Sequence, residues 1–300
     1  MSPSPWKIGL ILTIGVLAVS TSAIFICLSI NAANVSGVEF SLFLAASRVI
    51  IASTVLLPTW RNLPQISVPR SAYYYAIAAG IALAGHFATW ITSLSFTSIV
   101  ASTTLVTTTP VWVSLISWLW FHEKLTKRTI LGIIIALAGG MVITLGGDNA
   151  SIKVSNSLLG NSLAILGAWT ASFYLVWGQK AQKQGFRIGS YIAIVYTTAA
   201  IVLFPLPLFL GNGYLGYPNE VYIYVILMAV FSQLIGHTSF NWAVRWISPT
   251  LVTLAILFEP VGASFLGFLL LGEVPSLFVL GGAIILLIGV IMAVLGSKKN

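Results

Sequence analysis

Residues 98–126 read SIVASTTLVTTTPVWVSLISWLWFHEKLT, and residues 248–276 read SPTLVTLAILFEPVGASFLGFLLLGEVPS. Each stretch is an apolar run with a proline inside it and a glutamate after it. Pro110 and Pro260 are 150 positions apart, and so are Glu123 and Glu273. Because an α-helix needs about 20 apolar residues to cross about 30 Å of hydrocarbon, the two stretches indicate transmembrane helices that are copies of one another.

The composition of the whole chain excludes a soluble protein. Of its 300 residues, 58% are hydrophobic and only 7% are charged, and the mean hydropathy is +1.01. Soluble domains carry roughly 25% charged residues, so the solvent of this chain must be lipid. Working outward from the two stretches, apolar windows predict ten transmembrane helices, numbered 1 to 10: 8–30, 39–58, 72–94, 98–121, 129–146, 158–178, 189–210, 220–243, 249–271 and 276–296. The first window is long for a secretory signal, and we expect it to be retained.

Several function classes lack their characteristic residues. The net charge of +8 comes from basic residues spread through apolar sequence, which form no basic stripe for nucleic acid. Cys27 is the single cysteine, so neither a disulfide framework nor a metal cluster is expected. The sequence has no phosphate-binding loop and no nucleophile elbow. We therefore expect no cofactor, no metal and no enzymatic activity.

The two halves of the chain form an internal repeat. Gly85-His86 matches Gly236-His237 at an offset of 151, and further glycines match at an offset of 150. The predicted division is a first five-helix repeat at 1–147, an external linker at 148–157 and a second repeat at 158–300. Because five is an odd number, the second repeat must be inverted in the membrane. Inverted repeats are typical of secondary transporters, whose site lies near the midplane between the copies.

Charge placement predicts the orientation. With the N-terminus in the cytoplasm, Lys153 lies outside and Arg48 lies within a helix. The remaining basic residues are then all cytoplasmic: Lys7, Arg61, Arg70, Lys124, Lys127, Arg128, Lys180, Lys183, Arg187, Arg245, Lys298 and Lys299. Such a bias follows the positive-inside rule. It predicts a multi-pass protein of the inner or plasma membrane with both termini in the cytoplasm and an external loop at 147–157.

The quoted stretches also carry a family pattern. Residues 109–112 (TPVW) and 121–126 (FHEKLT) resemble the Pro-centred run and following turn of the drug/metabolite transporter superfamily, specifically its EamA-like family. The second copy has EPVG at 259–262 and LGE at 271–273. The sequence departs from the pattern at His122, which replaces a glycine, and in the second turn, which lacks the basic residue. The resemblance implies that helices 1–4 and 6–9 line a central cavity, with helices 5 and 10 at the periphery.

Two charged residues lie near the middle of predicted helices, Arg48 in helix 2 and Glu259 in helix 9. Each costs about 2.5–3.5 kcal/mol at that depth, so both must face a wet cavity or a polar partner. In one interpretation Arg48 binds a substrate carboxylate and Glu259 binds an ammonium group or a proton. In the alternative, they form a structural ion pair, or Arg48 satisfies carbonyl groups of a neighbouring helix.

Polar and aromatic residues on other helices complete the candidate site. On helix 8, Gln233, His237 and Asn241 recur every four residues and predict one polar stripe. The matching face of helix 3 carries His86 and Trp90. Trp169 begins an aromatic row on helix 6 that suits an amphipathic solute or the membrane interface. The alternative for the histidines is a neutral imidazole that bonds across a helix pair.

Helices 5 and 10 each carry two glycines seven positions apart, Gly132/Gly139 and Gly282/Gly289. These stripes predict close helix packing, within a monomer or at the seam of a homodimer.

The leading hypothesis is alternating-access transport of a small polar or zwitterionic metabolite such as an amino acid, with export as the expected direction and protons as a possible coupling ion. The partners are then a small-molecule substrate and the lipid bilayer. The alternatives are an importer or exchanger of another solute, such as a purine or an organic acid, and a membrane protein that transports nothing.

Overall fold

The computed structural model describes residues 3–65, 68–121, 126–146, 156–211 and 213–297. These residues form helices joined by short connections, and no β-strand occurs among them. A bilayer offers no water to backbone N–H and C=O groups, so spanning segments must satisfy those groups internally, as helices do. The predicted turn around His122 and Glu123 and most of the predicted linker, residues 147–155, lie outside the described residues.

The predicted fold class is confirmed: the described residues form ten apolar helical segments where ten were expected, and a short 3₁₀ helix, Leu57–Gln65, connects the second to the third. Their bounds are Pro5–Ala33 (helix 1), Val38–Val55 (2), Arg70–Ser93 (3), Ile99–Val106 with Thr109–Phe121 (4), Lys127–Gly146 (5), Ser157–Lys183 (6), Ile188–Leu203 with Leu206–Leu210 (7), Asn219–Val244 (8), Pro249–Ile256 with Glu259–Leu271 (9) and Leu277–Ser297 (10). Seven of the described segments are individually long and apolar enough to cross a membrane.

Helices 4 and 9 are both interrupted just before their matching prolines, Pro110 and Pro260. Proline lacks the N–H that would continue the helix, and its ring clashes with the preceding turn. In helix 4 the carbonyl oxygens near the break accept hydrogen bonds from threonine hydroxyls, for example Thr109 Oγ1 to Val106 O at 2.9 Å. In helix 9 the break makes Glu259 the first residue of the second half-helix.

The repeat is visible in the helix contacts. Helix 3 packs on helix 6, and helix 8 packs on helix 1. In the first pair, a Cβ at Gly167 would lie 3.1 Å from the Cβ of Trp90; in the second, a Cβ at Gly15 would lie 3.0 Å from the ring of Phe240. Helix 3 corresponds to helix 8 and helix 6 to helix 1, so corresponding helix pairs each make a close contact between a glycine and an aromatic residue.

Helices 5 and 10 pack directly on one another through their glycines. A Cβ at Gly139 would collide with the backbone of Leu286, and one at Gly132 with the backbone of Ala293. The opposite sides of both helices expose apolar residues such as Met141 and Ile288, as expected for contact with lipid. The close packing expected of these glycines therefore occurs within the chain.

The two ends of the helical bundle differ in charge. At one end, where helix 6 ends beside the start of helix 3, the ammonium of Lys180 lies 5.3 Å from the centre of the Tyr75 ring. We call this end the basic face. At the other end, where helices 1, 3 and 9 end, the described acidic residues are Glu39, Glu220 and Glu273. We call this end the acidic face.

Candidate functional site

A central pocket lies between the two repeats, about midway along the helices. It contains about 550 Å³ of space not occupied by protein atoms, a figure that includes the open solvent at its mouth. Helices 1, 3 and 4 of the first repeat and helices 6, 8 and 9 of the second all contribute. The lining residues are Val19, Ser22, His86, Trp90, Val106, Thr107, Thr109, Ala171, Tyr174, Leu175, His237, Phe240, Ile256 and Glu259.

Glu259 is the acidic side chain of this lining, and it is 8% exposed. The break in helix 9 places it in the first turn of the half-helix Glu259–Leu271, where the free N–H groups give a partial positive charge. Its own carbonyl oxygen lies 3.4 Å from the Ser20 hydroxyl on helix 1. The broken helix therefore holds a carboxyl group at the wall of an otherwise mostly apolar pocket.

The two repeat-related histidines meet in the pocket wall. His86 Nδ1 donates to the carbonyl oxygen of Gly167 at 2.9 Å, and its ring is parallel to that of Trp90, with centroids 5.8 Å apart. His237 Nδ1 and Trp90 Nε1 are buried and have no hydrogen-bond partner among the described residues. Buried polar atoms in proteins are nearly always paired, so these two atoms are available to a bound solute or water.

Arg48 is fully buried but does not line the pocket. Its guanidinium donates to Ser22 Oγ at 3.0 Å and to Gln233 Oε1 at 3.2 Å. It also lies 4.2 Å from the centre of the Phe87 ring, within the range of a cation–π contact. Arg48 thus joins helices 1, 2, 3 and 8 behind the pocket wall, an arrangement that favours the structural interpretation of this residue.

The other predicted site residues also lie away from the pocket. Gln233 is buried beside Arg48, and the Asn241 amide donates to the Tyr174 hydroxyl of helix 6. Trp169 is 44% exposed and packs edge-on against Phe173, outside the lining. Of the eight residues proposed from the sequence, the structure brings four together at the pocket: His86, Trp90, His237 and Glu259.

A π-helical segment in helix 8 changes the geometry expected of its polar stripe. Residues Met228–His237 follow i→i+5 bonding, whereas the matching helix 3 is a regular α-helix throughout. The wider turn alters the angle between Gln233 and His237, which would share a face in an α-helix. The Gln233 carbonyl accepts a hydrogen bond from the Tyr196 hydroxyl of helix 7 at 3.2 Å. Such π segments occur frequently at functional sites.

Sequence reasoning missed a lining residue that the repeat could have identified. Thr109 matches the candidate Glu259 at an offset of 150, so applying the repeat to Glu259 would have added it. Val106 and Ile256 also match one another at that offset, but neither was a candidate. Tyr174 has no such signal, since it lies beside an aromatic row, Trp169, Phe173 and Trp177, whose members do not line the pocket. Within the described residues, no group of three His, Cys, Asp or Glu side chains is placed to hold a metal ion.

A multi-pass helical membrane protein with a central pocket between two inverted repeats has the architecture of a secondary transporter. The chain belongs to the EamA-like transporter family, whose model matches residues 6–145 and again residues 158–295. The resemblance drawn from the sequence is therefore confirmed, and the protein is a membrane transporter.

Known proteins similar to this chain agree with that assignment. The uncharacterized transporter YyaM of Bacillus subtilis (strain 168) is 22% identical over 244 residues, which cover 80% of this chain and 78% of YyaM. A probable terminal-alkyne amino-acid exporter of Streptantibioticus cattleyicolor is 24% identical over 181 residues, covering 60% of this chain and 59% of the exporter. A solved crystal structure with 17% identity superposes with a TM-score of 0.63 over 99% of both chains, which shows the same fold.

Proposed function

We propose that the protein exports small amphipathic metabolites that carry an ammonium group, amino acids among them, by proton-coupled alternating access. The observation that carries this proposal is Glu259, a carboxyl group in the wall of a pocket that is otherwise mostly apolar and aromatic. A substrate ammonium group would pair with this carboxyl group. The apolar body of the solute would pack against Trp90, Tyr174 and Phe240, whose ring faces also attract cations.

The unpaired atoms in the lining support a zwitterionic substrate. The indole N–H of Trp90 is a donor, and a neutral imidazole such as that of His237 has one donor and one acceptor nitrogen. A substrate carboxylate could accept from Trp90 Nε1–H, which has no partner among the described residues. Arg48 is not needed for this contact. Its two terminal nitrogens already donate to Ser22 and Gln233.

Proton coupling follows from competition at one carboxyl group. If Glu259 binds either a proton or the substrate ammonium group, the two ligands exclude each other. Each then favours the conformation to which it binds more tightly, since a ligand shifts an equilibrium only through differential affinity. Export as the direction is supported by the similarity to a protein named as a probable amino-acid exporter.

The test is solute flux in proteoliposomes with a panel of amino acids and amines. Glu259→Gln keeps the shape of the side chain and cannot ionise. We expect it to abolish proton-driven uphill transport and to flatten the pH dependence of flux, while counterflow of substrate continues. Glu220→Gln, which removes an exposed carboxyl group at the acidic face, is the matched control. Full uphill transport by Glu259→Gln with the wild-type pH profile would show that Glu259 is not the coupling group.

We also propose that the basic face is cytoplasmic in the inner or plasma membrane, with the repeats divided at 1–147 and 158–300. In a Cys27→Ser background, an impermeant thiol reagent added to intact cells should label Leu215→Cys, which is 82% exposed at the acidic face. It should not label Lys183→Cys at the basic face. Labelling of Lys183→Cys alone would reverse the orientation.

A further inference from the structure

A second pocket opens at the acidic face, and we call it the vestibule. It contains about 780 Å³ of space not occupied by protein atoms. It is formed by the end of helix 1, the connection between helices 3 and 4, and the residues after helix 9. Its lining residues include Cys27, Asn31, Ser36, Thr97, Ser98 and Glu273. Glu273 is only 5% exposed although it lies outside the helices.

A packed layer separates the vestibule from the central pocket. Helix 1 gives Ser22 to the pocket and Cys27 to the vestibule, and Ile24 lies between them and is buried. On helix 9, Gly267 lies between Glu259 and Leu271. A Cβ at Gly267 would lie 3.4 Å from Ile99 Cδ1 and 3.9 Å from Ile24 Cδ1. Two isoleucine side chains therefore converge on this glycine in the layer between the two spaces.

A hydrogen bond from the start of helix 4 joins this layer to the second repeat. Glu273 Oε1 accepts from the backbone N–H of Ile99 at 2.8 Å. Ile99 is the first residue of helix 4, where N–H groups have no partner within the helix. The Ser98 side chain caps the N–H of Ala101, so the two acceptors satisfy different donors. Ile99 is thus anchored by its backbone to Glu273 while its side chain fills the space at Gly267.

We propose that Glu273 is a positioning residue of a gate between the vestibule and the central pocket. By accepting the N–H of Ile99, it holds the Ile99 side chain against Gly267 and keeps the pocket closed to the acidic face. Opening requires that this bond breaks and that the start of helix 4 moves away from helix 9. The use of the gate in transport rests on the alternating access proposed above.

The sequences of the two repeats differ at the position of this gate, so the gate forms at one face of the membrane. The position that matches Ile99 at an offset of 150 is Pro249, which has no N–H to donate. A glutamate in the equivalent turn of the first repeat could not make the same bond. The gate is therefore a difference between two otherwise similar halves, and it acts at the acidic face.

Protonation should favour the closed gate. Burial raises the pKa of Glu273 from its ordinary value of 4.5 to about 7, although the N–H groups of Ile99 and Val100 act in the opposite direction. Cys27 of helix 1 is a titratable side chain near Glu273. In an open gate the carboxyl group meets water, and its pKa returns towards the ordinary value. Because the state with the higher pKa is favoured by protonation, the preference for the closed state is greatest below pH 4.5, falls as the pH rises towards 7 and changes little above it.

The test measures how fast a hydrophilic thiol reagent reaches the central pocket of the purified protein. The reporter is Val106→Cys in a Cys27→Ser background, since Val106 lines the pocket. Rates are divided by those of Ser36→Cys, which is exposed in the vestibule and corrects for thiol ionisation. Glu273→Ala removes the acceptor and should raise the ratio roughly fivefold, the typical effect of losing an N-terminal helix cap.

The conservative variant separates the gate from a general loss of structure. Glu273→Gln keeps an acceptor for Ile99 and cannot ionise, so it should keep the ratio low and independent of pH between 6 and 8. With Glu273 present, the ratio should rise as the pH rises towards 7. Ile99→Ala, which shortens the plug, should raise the ratio while Glu273 is intact. Equal ratios in the Glu273, Glu273→Ala and Ile99→Ala proteins would overturn the proposal. No substrate or gradient is used, so the result does not depend on the proposed transport.

Discussion

The imidazole rings of His86 and His237 lie 6.1 Å apart between their centroids, in the wall of the central pocket. The two residues occupy matching positions of the two repeats, 151 residues apart. Their hydrogen bonds differ: His86 Nδ1 donates to Gly167 of helix 6, whereas His237 Nδ1 has no partner among the described residues. One histidine therefore fixes a helix contact, and the other is available to a ligand.

This difference predicts opposite effects of the same substitution. Phenylalanine keeps a ring at either position but removes the ring nitrogens. His86→Phe should lower stability by about 1 kcal/mol, the typical net value of one hydrogen bond, seen as a lower Tm in detergent. His237→Phe should leave Tm unchanged and weaken substrate binding or flux about tenfold. If the two variants lose stability equally, His237 is a packing residue as well.

Arg48 should matter more for folding than any other charged residue that we substitute. Arg48→Ala leaves Gln233 and Ser22 buried without their donor and removes the cation on the Phe87 ring. Hydrogen bonds to charged groups contribute about 1.5–3 kcal/mol each, so we expect a loss of about 3 kcal/mol or more and a low yield of folded protein. Arg70→Ala, at an exposed position, is the control. Wild-type yield and Tm for Arg48→Ala would contradict the structural role.

Helix 8 offers an accessibility test of the pocket. Because His237 lines the pocket while Gln233 and Asn241 bind neighbouring helices, only His237→Cys should react readily with a hydrophilic reagent in a Cys27→Ser background. Gln233→Cys and Asn241→Cys should react at least tenfold more slowly. Comparable reactivity at all three positions would mean that the whole polar stripe faces water during the transport cycle.

Two adjacent glycines of helix 5, which packs on helix 10, provide a matched pair of substitutions. A Cβ at Gly139 would overlap the backbone of Leu286, whereas one at the adjacent Gly140 would lie 3.5 Å from the Leu105 side chain, an ordinary contact. Gly139→Ala should therefore push the helices apart and cost a few kcal/mol, as overpacking does. Gly140→Ala should be neutral or stabilise by up to about 1 kcal/mol through helix propensity. Thermal unfolding should therefore give a lower Tm for Gly139→Ala than for Gly140→Ala. Equal Tm values would mean that the helix pair can adjust to the added methyl group.

The sequence by itself determined the membrane spans, the repeat and the family. A spanning segment must be a long apolar run whose backbone groups are satisfied within the helix, and this requirement is local, so it can be read without knowing any neighbour. The breaks before Pro110 and Pro260 follow for the same reason, because a proline disrupts its own helix. The glycines at 132, 139, 282 and 289 likewise predicted a close helix contact.

Only the tertiary structure decided which polar side chains face the pocket. Residue spacing fixes the face of a single helix, but the neighbour on that face depends on how helices far apart in sequence rotate and cross. Thus Arg48 donates a hydrogen bond to Gln233, 185 positions away, and does not line the pocket. Trp169 faces outward. The π segment of helix 8 altered a stripe that the α-helical period predicted. The Glu273–Ile99 hydrogen bond joins residues 174 positions apart. Because such a bond forms only where the two repeats pack, no local sequence pattern predicts it.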